Sequence, residues 1–310
     1  MKILDLANGT IDDLTISDLE SYFILIPKEK IKAVCNKFNV DDRTVNDGWL
    51  VDSTIKYEDF GTYQFISLAI PEIDINDEFN IYIGPNFCFF VYPENHNNNV
   101  VNYIKNQIHY RINTVEAKLN VTYTPVYYAS IIIDTIISKY FEIVTSYESK
   151  IERFLDEILV KPGNHHFELI TNVRNEVYTL KKDIRAIDNI NIMLCLEEAG
   201  LIKKAEYPAY KNISTRIRGL LKFIESVYSL SSELMHSYDT KIANQTNSLV
   251  TRLTVITIIM GVWTVVVGVY GMNFKNMPET EWAYSYYIVI GGLIVITFIL
   301  IWFFHKKKWI

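Results

Sequence analysis

The chain has 310 residues, 49% of them hydrophobic and 21% charged, with a formal net charge of -6. Its charge is unevenly spread: residues 253–274 and 282–304 contain no Asp, Glu, Lys or Arg, which excludes a purely soluble protein, a disordered chain and a transporter embedded in lipid throughout. The acidic balance offers no basic surface to nucleic acid, so no nucleic-acid partner is expected.

The first ten residues, MKILDLANGT, contain no apolar stretch of signal-peptide length before Asp12 and Asp13. Three scattered cysteines, Cys35, Cys88 and Cys195, form no CxxC pair and fit a reducing compartment. Strands are predicted at 49–56 and 63–70, bounded by Gly48, Gly61 and Pro71. Two more, at 79–83 and 87–92, flank the turn signal Gly84-Pro85. The run from Phe87 to Tyr92 is apolar throughout, as in a central strand covered on both faces. From Val100 the period becomes helical, with Val101, Ile104, Ile108 and Ile112 on one face.

Pro125 opens a long helix predicted to run to about Val160, where Lys161-Pro162-Gly163 ends it. A second is predicted from Phe167 to Ala199. A third starts at Pro208 with Ile213, Ile217, Leu220, Ile224, Val227, Ser231, Leu234 and Tyr238 at spacings of four and three, a stripe for packing on a neighbour. Unbroken to residue 270 it would be about 90 Å long. The alternative is two helices parted near residues 244–247.

Residues 253–270 and 282–304 are each long enough to cross about 30 Å of hydrocarbon. Arg252 precedes the first, and His305, Lys306, Lys307 and Lys308 follow the second. Between them, Lys275 stands against Glu279 and Glu281. Lys and Arg mark the cytoplasmic side, so both termini are expected inside a cell membrane and the acidic loop outside. The lysine cluster is read as a topology determinant and a contact for lipid headgroups.

Inside the first span, Thr254, Thr257, Gly261, Thr264, Gly268 and Gly271 recur at spacings of 3, 4, 3, 4 and 3 among large apolar residues. Extended backward, the register takes in Val250, Asn247, Ala243, Thr240, His236, Glu233, Ser229, Ser226 and Lys222. Two readings fit: a close-packed helix interface rich in small residues, or one wall of a watery path. The second accounts for the continuation below the membrane and requires a ring of copies, with Val250 and Leu253 as hydrophobic constrictions.

At the end of this span stand Tyr270-Gly271-Met272-Asn273, then Met277-Pro278-Glu279. With two C-terminal spans and a tail ending Lys306-Lys-Lys-Trp309, the chain resembles the CorA family of divalent-cation transporters, closely over about 75 residues from Tyr238 to the end. The resemblance implies an α+β cytoplasmic domain with very long helices plus a two-helix transmembrane hairpin, assembled as a funnel-shaped homo-oligomer, a pentamer. The segments would be an α/β domain (1–124), antiparallel helices (125–207), a stalk helix (208–270) containing the first span (253–270), an outer loop (271–281), a second span (282–304) and a basic tail (305–310).

It further implies uptake of Mg2+, with Co2+ or Ni2+ also carried, and negative feedback by cytoplasmic Mg2+. The partners would be copies of the chain, the bilayer and divalent cations, with no enzyme activity and no organic cofactor. The implied selectivity residues are Gly271, Met272 and Asn273, with Asn273 meeting the ion through its bound water. Neutral amide oxygens suit Mg2+, which dehydrates reluctantly. Gly271 would allow a tight or left-handed turn. Asn247, Val250, Leu253, Thr254, Thr257, Gly261, Thr264 and Gly268 would line the pore, and Glu279 and Glu281 would gather cations at the mouth.

Three departures stand out. Lys275 dilutes the acidic loop, Gly261-Val262 replaces a Met-Pro pair, and Asn212 stands where a sensing carboxylate is expected, so no regulatory residues are assigned. A zinc-transporting branch of the superfamily and a non-conducting helical scaffold are the competing readings. Met272 argues against the first and the polar seam against the second. His165-His166 lack a metal-motif partner, and His236, on the seam, could titrate or coordinate in a lumen. No P-loop, GxGxxG or catalytic triad occurs.

Overall fold

A computed structural model describes residues 2–6, 20–41, 44, 55–69, 78–92, 102–104, 106–107, 110–111, 114, 124–160, 163–195, 202–203, 205–272 and 277–309. The chain forms two compact units, one of residues 1–154 with 168–234 and the other of 155–167 with 235–310.

The first unit is built on a six-stranded mixed sheet: β1 (Lys2–Asp5), β2 (Tyr22–Pro27), β3 (Lys56–Asp59), β4 (Gln64–Ala69), β5 (Glu78–Ile83) and β6 (Phe87–Tyr92). The order is β1-β2-β6-β5-β4-β3, with β1, β2 and β6 parallel and the remaining pairs antiparallel. All six residues of β2 and of β6 are buried, which is why neither alternates in polarity. The β5–β6 turn needs Gly84, where a Cβ would overlap the Phe87 ring. One face of the sheet packs Ile24, Phe89 and Val91 against Val34 and Cys35 of helix α1 (Ile31–Phe38).

On the sheet's other face lies helix α2 (Pro125–Val160), whose Tyr128 ring stacks on Phe23 at 4.8 Å. Its Tyr140 hydroxyl donates to the Ala69 carbonyl at 3.0 Å. Helices α3 (Asn164–Cys195) and α4 (Tyr207–Tyr270) complete a bundle. Tyr210 donates to the Val126 carbonyl and Phe141 stacks on Phe223, so α4 runs parallel to α2. Asn191 donates to Ser214 and Tyr178 meets Tyr228, so α3 runs antiparallel to it. The stripe from Ile213 to Tyr238 is buried, including Ser231, whose hydroxyl is satisfied by the Tyr228 carbonyl of its own helix at 2.7 Å.

The structure corrects the sequence reading at the N-terminal side. Strands β1 and β2 and helix α1 were not anticipated. The strand near the first predicted position is Lys56–Asp59, while 49–54 lie outside the described residues. Of the helical face after Val100, Ile104 is buried, and Val101, Ile108 and Ile112 lie outside the described residues. Helix α3 begins at Asn164 rather than Phe167. α4 is a single element of 64 residues with no break at 244–247.

Candidate functional site: the apolar hairpin and its polar register

Among the described residues two helices are long and apolar enough to cross a membrane, α4 through its C-terminal part and α5 (Ser285–Lys306). Only 6% and 11% of their apolar windows are buried, whereas the core helix of a soluble protein would be mostly covered. The helices meet through one side of α4. Trp263 Nε1 donates to Thr297 Oγ1 at 2.9 Å, and Thr297 in turn donates to the Leu293 carbonyl. Val255 is 1% exposed, Ile259, Val262 and Val266 are half-buried, and on α5 Leu293 and Phe304 are buried. Toward the Tyr270 end, a 630 Å³ cavity is lined by Val266, Tyr270, Trp282, Tyr286, Val289 and Leu293.

The Thr and Gly residues lie elsewhere. At about 100° per residue, Thr254, Thr257, Gly261, Thr264 and Gly268 centre roughly opposite the Val255–Val266 face. All five are exposed, and a Cβ on Gly261 or Gly268 would meet nothing within 4 Å. The small residues therefore do not serve packing of α4 on α5.

Exposure persists along the register: Lys222, Ser226, Ser229, Glu233, His236, Thr240, Ala243, Asn247 and Val250 are exposed as well. The buried stripe that ends at Tyr238, continued at the same four-three spacing, arrives at Val255, Ile259, Val262 and Val266. In the first unit one side of α4 is buried against neighbouring helices and the register from Lys222 to Glu233 is exposed; in the second, the Val255–Val266 side meets α5 and the threonine side is exposed. Heptad-like spacing keeps two such stripes in fixed relation over many turns.

The threonine hydroxyls on this side are polarised alike. Thr240 donates to the His236 carbonyl, Thr254 to Val250, Thr257 to Leu253 and Thr264 to Met260, each at 2.8 Å. Each hydroxyl proton is spent inside the helix, leaving the oxygen as an outward acceptor.

At the end of α4 the Gly271 N–H donates to the Val267 carbonyl at 2.9 Å and the Met272 N–H to Val269 at 3.2 Å. Gly271 does not take the left-handed conformation that its sequence allowed; Gly61 is the glycine with positive φ among the described residues. Its missing side chain instead relieves a close approach, because a Cβ would lie 3.3 Å from the Val267 oxygen. Met272 is exposed; Asn273 and Lys275 lie outside the described residues. Pro278–Glu281 form a short 3-10 helix on which Glu279 is exposed, and the Glu281 side chain is outside the described set.

In the soluble unit, the Asp134 carboxylate is held between Arg111 and Arg216, and Arg216 also donates to Ser138 at 2.8 Å. Asn212 lines a 560 Å³ cavity beside these groups. Burial pushes the Asp183 carboxyl up to about 6 against the pull of Lys182, and pushes the Tyr140 phenol well above its ordinary range. No sequence motif signalled Arg111, Asp134, Arg216, Asp183 or Tyr140. Among the described residues no group of three or more His, Cys, Asp and Glu side chains is placed to hold a metal ion. His166 is buried, its Nδ1 accepting from the Gly163 N–H at 2.9 Å, and so caps α3.

Comparison with known proteins follows the same architecture. The sequence model of a family described as "CorA-like Mg2+ transporter protein" matches residues 26–307. The cobalt/magnesium transport protein CorA of Thermotoga maritima is 24% identical over 286 residues, covering 90% of this chain and 80% of that protein. The complete structure of the CorA magnesium transporter from Methanocaldococcus jannaschii superposes with a TM-score of 0.80 at 18% identity, over 97% of this chain and 95% of that one. Full-length CmaX gives a TM-score of 0.69 at 12% identity, over 97% and 93%. Because the family match takes in most of the sheet, the three long helices and the apolar C-terminal hairpin, the chain belongs to the CorA-like Mg2+ transporter family.

Proposed function

We propose that the chain is one subunit of a homopentameric channel for hydrated Mg2+, with Co2+ and Ni2+ as further cargo, in a cell membrane with both termini cytoplasmic. The polar register of α4 forms the wall of the path, from Asn247 through Val250, Leu253, Thr254, Thr257, Gly261 and Thr264 to Gly268. Gly271, Met272 and Asn273 form the outer ring, with Glu279 and Glu281 at its mouth. The observation that carries this reading is the bare register, continuous from Lys222 to Gly271 and opposite the face that meets α5. A lipid anchor has no use for a hydrophilic strip that runs on into the aqueous phase.

The chemistry is that of outer-sphere recognition. A hydrated divalent cation presents outward-pointing water protons, and outward threonine oxygens can accept them without stripping the shell. The Asn273 amide oxygen plays the same part at the entrance, neutral enough to let the ion leave. Two positive charges gain about 4.6 kcal/mol per 100 mV of membrane potential, so no nucleotide is needed.

Asn273→Ala should reduce Mg2+ flux into proteoliposomes to background while the oligomer elutes unchanged on size exclusion. The assay is run with Mg2+, Co2+, Ni2+ and Zn2+ in turn, and with Mg2+ preloaded inside, where feedback by the internal ion should slow entry. Normal flux in the variant removes Asn273 from the mechanism. A preference for Zn2+ over Mg2+ reassigns the cargo.

A further inference from the structure

The end of α5 carries chemistry that the ion path does not use. Lys306, Lys307 and Lys308 follow one another there, Arg252 precedes the apolar part of α4, and no acidic residue occurs between Asp239 and Glu279. α5 closes in a Schellman turn. The Trp309 N–H donates to the Phe304 carbonyl and the Lys308 N–H to that of His305, both at 3.0 Å, with Lys308 left-handed at φ 58°. The Trp309 ring stacks on Phe304, their centres 5.5 Å apart, the apolar contact that such a turn favours.

Two of the ammonium groups are drawn backward. Lys306 Nζ lies 5.4 Å from the centre of the Trp302 ring, and Lys307 Nζ 5.1 Å from that of Phe303. Helical side chains lean toward the N-terminus of their helix, and these two lean one turn back along the span. Ser285 to Trp302 measures about 26 Å along the axis, close to the roughly 30 Å of a hydrocarbon core. On the membrane-spanning reading, that length puts Trp302 at the edge of the hydrocarbon and the three lysines that follow it at headgroup level. Trp302 is 65% exposed and Phe303 is exposed, continuing the bare apolar surface of Val295, Phe298 and Ile299. Each cation has a ring on one side, and among the described residues none of the three lysines is paired with a carboxylate.

We infer that this lysine–aromatic cluster is a binding surface for anionic phospholipid headgroups of the cytoplasmic leaflet, with Lys306, Lys307 and Lys308 as its cations and Trp302 and Phe303 as its apolar walls. It rests on the membrane-spanning reading above and is independent of which ion is carried. Charge complementarity selects the occupant: the inner leaflet is the anionic one, and clustered Lys beside a span attracts it.

The test is native mass spectrometry of the full-length detergent-purified protein titrated with phosphatidylglycerol or phosphatidylcholine. Wild type should retain phosphatidylglycerol at least about fivefold better. The triple variant Lys306→Gln/Lys307→Gln/Lys308→Gln should lose that preference, and Lys306→Arg/Lys307→Arg/Lys308→Arg, which preserves charge and topology, should keep it. Trp302→Leu/Phe303→Leu should weaken it with every lysine in place. Equal retention of the two lipids by wild type, or an undiminished preference in the glutamine variant, overturns the inference. So does displacement of the lipid by millimolar inorganic phosphate, which would mark a free-anion site, or lipid-independent cross-linking of these lysines to acidic residues of a second copy. Mg2+ flux, measured separately, separates the two readings: lipid preference without flux defeats the transport proposal alone, and flux without lipid preference defeats this one.

Discussion

Single side chains show two ways of placing charge. Asp134 binds together two arginines from distant parts of the chain, Arg111 and Arg216. Removing it in Asp134→Ala leaves two guanidiniums facing each other. The groups are partly exposed, so the expected loss is about 1–2 kcal/mol, read as a fall of about 4 °C in apparent Tm of the detergent-purified protein. An unchanged Tm would show that the cluster contributes nothing to stability. Asp183 works in the opposite sense. Its carboxyl is pushed up to about 6 by burial, above the value near 3.9 of an unfolded chain. Above pH 6 the folded protein thus carries a charge it would rather not bury. As pH falls from about 6 to about 4 the native state takes up the proton first, and this group's contribution to stability rises. Asp183→Asn should therefore raise stability by on the order of 1 kcal/mol at pH 7.5, a value discounted for partial exposure. The gain should shrink as pH falls below about 6 and be gone only below about 4, where the unfolded carboxyl is protonated too, and a pH-independent difference would refute the assignment. Neither residue stood out in the sequence, because a pair such as Asp134 and Arg216 lies 82 positions apart.

At the scale of elements, the long helices were legible and the N-terminal strands were not. Helix α2 spans Pro125–Val160, the limits suggested by the opening proline and by Lys161-Pro162-Gly163. Caps, breakers and a 3.6-residue period are local signals that a helix displays on its own. β2 carries a short apolar run, YFILIP, buried on both faces, a pattern that periodicity alone cannot separate from a helix segment. β1 pairs in parallel with β2, and a parallel pair needs a crossover rather than the tight hairpin that a local turn signal marks. β3, an edge strand reading KYED, has little apolar side at all and exists through pairing with β4. For α4, the two opposite registers make a direct prediction. With the native cysteines replaced, Thr257→Cys and Thr264→Cys should react with a membrane-impermeant thiol reagent in proteoliposomes about tenfold or more faster than Val255→Cys or Val262→Cys, and the reaction should block flux. Comparable rates at all four positions would place the threonines against lipid.

For the whole molecule, the sequence by itself determined that two long charge-free helical stretches close the chain. Both stretches are long and apolar enough to cross a membrane, and the motif at the end of the first pointed to the family that the comparisons established. It also determined which residues of α4 share a side, because helical geometry converts spacing into azimuth. Tertiary structure alone decided what each side meets. Nothing in the order of residues said that α5 would take the Val255–Trp263 side and leave the threonines bare. Nor did it say that β6 would lie between β2 and β5, or that α2 and α4 would run parallel with α3 reversed between them in sequence. Periodicity is a property of one segment, whereas the choice of neighbour depends on contacts between segments tens of residues apart, which only the folded chain brings together.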